Sequence, residues 1–102
     1  MENNIILYSN NTNTVSINVT YINGEFWLTQ KLIVLLFDCS TDNVSLHLKN
    51  IFNSGELIQN SVTEEFSVTA SDGKTYKTKF YNLDAIIAVG YRVNSKQKQL
   101  SN

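Results

Sequence analysis

Proline is absent from this 102-residue chain, and cysteine, histidine and tryptophan each occur once. The single cysteine excludes an intrachain disulfide and any cysteine-built zinc site. One histidine leaves little for a His-rich metal cluster or a Ser-His-Asp triad. Long apolar runs are missing too. The longest, Leu32–Phe37, is six residues, where a membrane span needs about twenty. No basic segment precedes the first apolar stretch, so no secretory signal is expected, and the sequons at Asn18 and Asn43 read as coincidence. There is no excess of charge of either sign, eight basic residues against nine acidic giving −1, so global basicity does not advertise a nucleic-acid partner. No phosphate-binding glycine loop, metal motif or nucleophile elbow is present. Glu64 and Glu65 adjoin, so in a strand their carboxylates point to opposite faces and form no catalytic pair. These absences predict a non-enzymatic, cytoplasmic protein with no cofactor and no membrane contact.

What is present suffices for one domain. Hydrophobic residues make up 42%, including five Phe, five Tyr and one Trp, enough for a core in a chain of this length. Ile5–Tyr8 reads as a short strand and Ser9–Asn13 as a turn. From Val15 the chain alternates, with Val15, Ile17, Val19 and Tyr21 on one face. Asn23-Gly24 is a hairpin signal, both residues tolerating positive φ, and Glu25–Leu28 returns as a third strand. At Thr29, a suitable N-cap, the period changes to helical through Phe37. Asp38-Cys39 breaks that helix, and Ser40 starts a second in which Val44, Leu48, Ile51 and Phe52 form an amphipathic stripe. Gly55 follows as the terminating residue. Two short helices joined by a tight turn are helix-turn-helix geometry.

Residues 65–81 read as a hairpin. A three-residue loop, Ser71-Asp72-Gly73, pairs Val68 with Tyr76, puts Phe66, Val68, Tyr76 and Phe80 on one face, and leaves Lys77 and Lys79 in water. Asn82 is expected to cap a last helix with Leu83, Ile86, Ile87 and Gly90 inward. After Val93 the polar sequence is expected to fray. The expected fold is α+β, winged-helix-like: an N-terminal three-stranded antiparallel sheet, a helix-turn-helix, a β-hairpin wing and a C-terminal helix. Residues 1–95 form the domain and 96–102 a polar flexible tail.

Charge is unevenly spread: residues 1–51 carry −2, and residues 74–102 carry +5 from Lys74, Lys77, Lys79, Arg92, Lys96 and Lys98 against Asp84. Such a patch can neutralise phosphates, or it is an ordinary solvated strand face plus a tail. The second helix leaves Asp42, Leu46, Lys49, Asn50 and Asn53 away from its stripe, and Asn and Lys are common base-edge and phosphate contactors. Leu46 fits a thymine methyl, a partner subunit or a lone exposed leucine. His47 fits a phosphate or base contact, or a partly buried histidine bonded locally. Cys39 reads as a small semi-buried hydrophobe.

Several blocks together resemble the RhuM family of bacterial, virulence-associated proteins: Trp27-Leu28-Thr29-Gln30, Leu36-Phe37, Asn43 to Phe52, Gly55-Glu56-Leu57, Thr69 to Lys74, Phe80 to Asp84 and Val89 to Ser95. They run in order through nearly the whole chain. The resemblance implies a DNA-binding or regulatory role, with residues 41–53 as recognition helix and the following hairpin as wing. It also implies a truncation, since family members continue into a further helix where this chain has Lys96–Asn102. Leu32 and Leu35 depart from the family, which usually has polar residues there.

The function expected is a DNA-binding, transcription-regulator-like module on double-stranded DNA. Asp42, Asn43, Ser45, Leu46, His47, Lys49 and Asn50 would face the major groove, and Lys74, Lys77, Lys79 and Arg92 the phosphates. The alternative is a protein-interaction or dimerisation module without DNA binding, favoured by an acidic Asp42 where phosphate would approach closest. A homodimer is expected through Leu32, Val34 and Leu35, joined by Leu46, because three extra aliphatics on a two-turn helix are hard to hide. The competing arrangement has the N-terminal sheet cover that side within one chain.

Overall fold

The computed structural model describes the backbone of residues 2–8 and 14–101 and the side chains of residues 17 and 19–94. The expected turn at Ser9–Asn13 lies outside the described residues. Five strands form one antiparallel sheet: β1 (Glu2–Tyr8), β2 (Thr14–Ile22), β3 (Glu25–Thr29), β4 (Thr63–Thr69) and β5 (Thr75–Asn82), in the order β1-β2-β3-β5-β4. Helices α1 (Gln30–Phe37), α2 (Thr41–Asn53) and α3 (Gln59–Val62) intervene between β3 and β4, and α4 (Leu83–Ser101) follows β5. The architecture is α+β and compatible with a winged-helix-like arrangement. Among the described residues no helix is long and apolar enough to cross a membrane.

The first hairpin turns at Asn23 and Gly24, with φ of 54° and 83°, the double positive φ that such turns demand. Tyr21 and Phe26 are cross-strand partners beside it, their rings 4.9 Å apart. The second hairpin takes the expected register, Val68 opposite Tyr76 and Phe66 opposite Thr78. Gly73, at φ 84°, closes its loop. Asp72 organises the tip. Its carboxylate accepts from the Lys74 backbone N–H at 2.9 Å and from the Tyr76 hydroxyl at 2.8 Å.

Two differences from the sequence reading concern the sheet. The two separate β units expected are one, because β5 continues past the wing and pairs with β3, Trp27 opposite Asn82 and Leu28 opposite Tyr81. The single turn α3 was not anticipated; four residues are too few to carry a helical period. One sheet face, bearing Ile17, Val19, Leu28 and Tyr81, joins Ile33, Val44, Leu48, Ile51 and Val89 in the main core. The other bears an aromatic cluster in which Phe66 meets Trp27 at 5.5 Å and Phe80 at 5.2 Å.

Helix α4 corrects the sequence reading in which residues face inward. Asn82 caps it as expected, its Oδ1 accepting from the Ala85 N–H at 3.2 Å. The buried residues, however, are Ala85, Ile86, Ala88, Val89, Gly90 and Val93, while Leu83 and Ile87 are exposed. The cause is close packing: a Cβ on Gly90 would lie 2.7 Å from Cζ of Phe37, so at that point beneath α1 no side chain fits. The helix runs to Ser101; Lys and Gln are good helix formers and no breaker interrupts them.

Two outcomes follow from these contacts. Gly90→Ala, which in a free helix gains up to about 1 kcal/mol, is expected to lose stability here by overpacking of ~1–3 kcal/mol. Thermal unfolding should show a lower midpoint, and Phe37→Leu in the same chain should recover part of the loss. At the wing tip, the Lys74 N–H and the Tyr76 hydroxyl hold the Asp72 carboxyl below its ordinary 3.8. The tip is therefore fully tied above that value and released only as pH falls through the lowered one. Protection of the Lys74 amide relative to its intrinsic exchange rate should hold at pH ~4 and fall on further acidification, whereas in Asp72→Ala it should be low throughout.

Candidate nucleic-acid interface

Local hydrogen bonds set the two helices at a fixed turn. Thr29 Oγ1 accepts from the Leu32 N–H at 3.3 Å, and Ser40 Oγ accepts from the Asn43 N–H at 3.0 Å. Between them Asp38 adopts a left-handed φ of 53° and its N–H bonds the Val34 carbonyl, a conformation Asp tolerates better than most residues. At the far end of α2 the Gly55 N–H bonds the Phe52 carbonyl and the Glu56 N–H bonds that of Ile51. This double closure needs the positive φ of 81° that Gly55 supplies.

With Val44, Leu48 and Ile51 buried, α2 turns Asp42, Asn43, Ser45, Leu46, Lys49 and Asn50 outward. Leu46 is 50% exposed, and His47 is half-buried at the flank. Sequence reasoning missed Gln30. Its Nε2 donates to Ser45 Oγ at 2.6 Å and to the Thr41 carbonyl at 3.4 Å, tying the first residue of α1 to the outer face of α2. Because Ser45 Oγ accepts from Gln30, its own O–H remains available as an outward donor. Only a tertiary contact joins these residues, fifteen apart, so no local pattern announces it.

A groove beside α2 is lined by Gln30, Ser45, Lys49, Asn53, Gln59 and Tyr81, with Leu48 and Phe52 as its apolar part. A second, lined by Gln59, Asn60, Thr63, Glu64, Glu65 and Lys79, adjoins it through Gln59. Gln59 therefore links the outer face of α2 to the base of the wing, where Lys79 stands. Lys77 lies two residues further along the same face of β5, opposite Ser67, and Lys79 lies opposite Glu65. Lys74 is exposed at the wing tip. Burial pushes the Tyr81 hydroxyl above its ordinary value, so at neutral pH it stays a protonated donor at the groove.

Other expected site residues stand elsewhere. Arg92, expected on phosphates, is half-buried and forms an ion pair with Glu56 at 2.8 Å, which ties α4 to the segment after α2. Leu32 and Val34, expected at a dimer interface, pack against the core, because α1 is bounded by β2, β3, β5, α2 and α4. Both are half-buried. Leu35 remains exposed, like Leu46. Cys39 is half-buried against the core, and burial followed by the Asp38 charge pushes its thiol up; protonated, it is a poor nucleophile.

Comparison with curated proteins and with solved structures gives no match to the chain. Residues 61–100, from α3 through the wing and along α4, match the family described as the Virulence protein RhuM family, the same family that the residues of this sequence resemble.

Proposed function

We propose that this chain is a DNA-binding, transcription-regulator-like module without catalytic function. One observation supports it above the rest: the outer face of α2 and Lys79 of the wing line two adjoining grooves that share Gln59. A helix with a free polar face, set by a preceding helix, fits the major groove. Lys77 and Lys79, spaced two apart on one strand, suit successive phosphates. Asn50 and Asn53 carry amides suited to adenine edges, the Ser45 hydroxyl is a donor, and Leu46 fits a thymine methyl.

A second reading, a protein-interaction module, draws on the acidic residues interleaved with this surface. Asp42 is exposed in the first turn of α2, and Glu64 and Glu65 line the groove beside Lys79. These carboxylates repel phosphate and suit a basic protein partner.

Titrating salt against binding to a random-sequence duplex separates the two. DNA binding predicts an affinity that falls steeply between about 50 and 200 mM salt, and Lys77→Ala and Lys79→Ala each lower the slope by ~1. Lys49→Ala should do likewise or change sequence preference. Arg92→Ala should leave the slope unchanged and act only on stability, its pair with Glu56 being partly exposed and worth at most about 1 kcal/mol. Absence of binding at low salt favours the protein-interaction reading.

A further inference from the structure

The outer face of α2 is chemically narrower than its polarity suggests. Asn43, Leu46, Asn50 and Asn53 follow one another at spacings of three, four and three, which places them on one ridge of the helix. All four are exposed, Leu46 at 50%. Ser45 and Lys49 stand on the neighbouring flank, where they line the groove with Gln30 and Gln59. The ridge thus offers three carboxamides around one aliphatic side chain, and it carries no charge. A carboxamide presents a donor and an acceptor side by side, the pair that matches N6 and N7 of adenine. Leucine has no polar atom, and the thymine methyl is the apolar feature of the major groove.

What the helix lacks points the same way. The commonest guanine contact is a bidentate arginine, and Arg92 is the sole arginine of the chain. It stands on α4, where its guanidinium is held by Glu56 at 2.8 Å. Lys49 is cationic, but its groove adjoins the one lined by Lys79, a position suited to phosphate. Asp42, exposed in the first turn, can only accept, and it suits the amino group of cytosine at that end of the helix.

We propose that this ridge selects A·T base pairs in the major groove, with Leu46 on a thymine methyl and the amides on adenine edges. The proposal rests on the DNA-binding reading above and adds a base preference to it. From Asn43 to Asn53 the helix rises about 15 Å, the length of about four base pairs. A G·C pair is admitted only at the Asp42 end.

The test is selection by the full chain from a pool of random duplexes at ~50 mM salt. Sequences with a central run of A·T pairs should be enriched and bound ~10-fold or more tightly than their G·C counterparts. Replacing a contacted thymine by uracil removes only its methyl group. Wild-type affinity should then fall about fourfold, while Leu46→Ser should bind the two duplexes equally. Asn50→Ala should lose at least about fivefold on the enriched duplex. It should keep the wild-type salt slope on random DNA, because no phosphate contact is removed; a misfolded chain would lose both. Salt-dependent binding without base preference overturns this proposal and leaves the DNA-binding reading standing. An A·T preference indifferent to uracil and to Leu46→Ser overturns it too, since that is readout of DNA shape. Failure to bind any duplex at low salt removes both readings.

Discussion

The pairing of β3 with β5 is the contact on which the rest of the molecule depends. Each strand runs into a helix without an intervening loop, β3 into α1 at Thr29 and β5 into α4 at Asn82. Three residue pairs, Trp27 with Asn82, Leu28 with Tyr81 and Thr29 with Phe80, therefore set the position of both helices at once. Asn82 is the knot. Buried between them, it caps α4 through Oδ1 and donates from Nδ2 to Glu25 Oε1 at 3.2 Å. A buried amide with both ends bonded specifies register more sharply than an apolar residue, because a slip strands its polar atoms.

That junction also brings the candidate interface together. Tyr81, one residue before Asn82, lies on the sheet face that packs on the helices, so it borders the groove beside α2. Lys79 and Lys77 precede it by two and four residues on the same face. The wing lysines thus share a surface with α2 through strand alternation rather than through long-range charge steering. The acidic residues on that surface are equally a product of register, since Glu65 stands directly across from Lys79.

Much of this is legible in the residues themselves. Caps at Thr29, Ser40 and Asn82, the turns at Asn23-Gly24 and Gly73, and the termination at Gly55 are all written in residue type, because each needs a particular side-chain acceptor or a positive φ. The Val68–Tyr76 register followed from keeping lysines out of the core. The misses have a common physical form. Whether Leu32 and Val34 face solvent, and whether Ile87 faces the core, depends on what surrounds a helix on all sides. Hydrophobic period alone names an apolar stripe but not which of two adjacent stripes has room beneath it. Gly90 held the missing information: a glycine inside an apolar helix signals a close neighbour, here Phe37. Arg92 and Gln30 were likewise decided by partners distant in sequence, Glu56 and Ser45.

The loop-free strand-to-helix junctions limit how such a chain can change over time. An added residue at the wing tip lengthens a solvent-exposed loop and disturbs little. One added between Asn82 and Leu83 would turn all of α4 by about 100°, carrying bulky side chains into the space Gly90 keeps clear and small ones out to the surface. Length variation should therefore collect in the hairpin ends and be purged at residues 29–30 and 82–83. At those two seams the spacing of the chain, more than the identity of any side chain, is what selection has to protect.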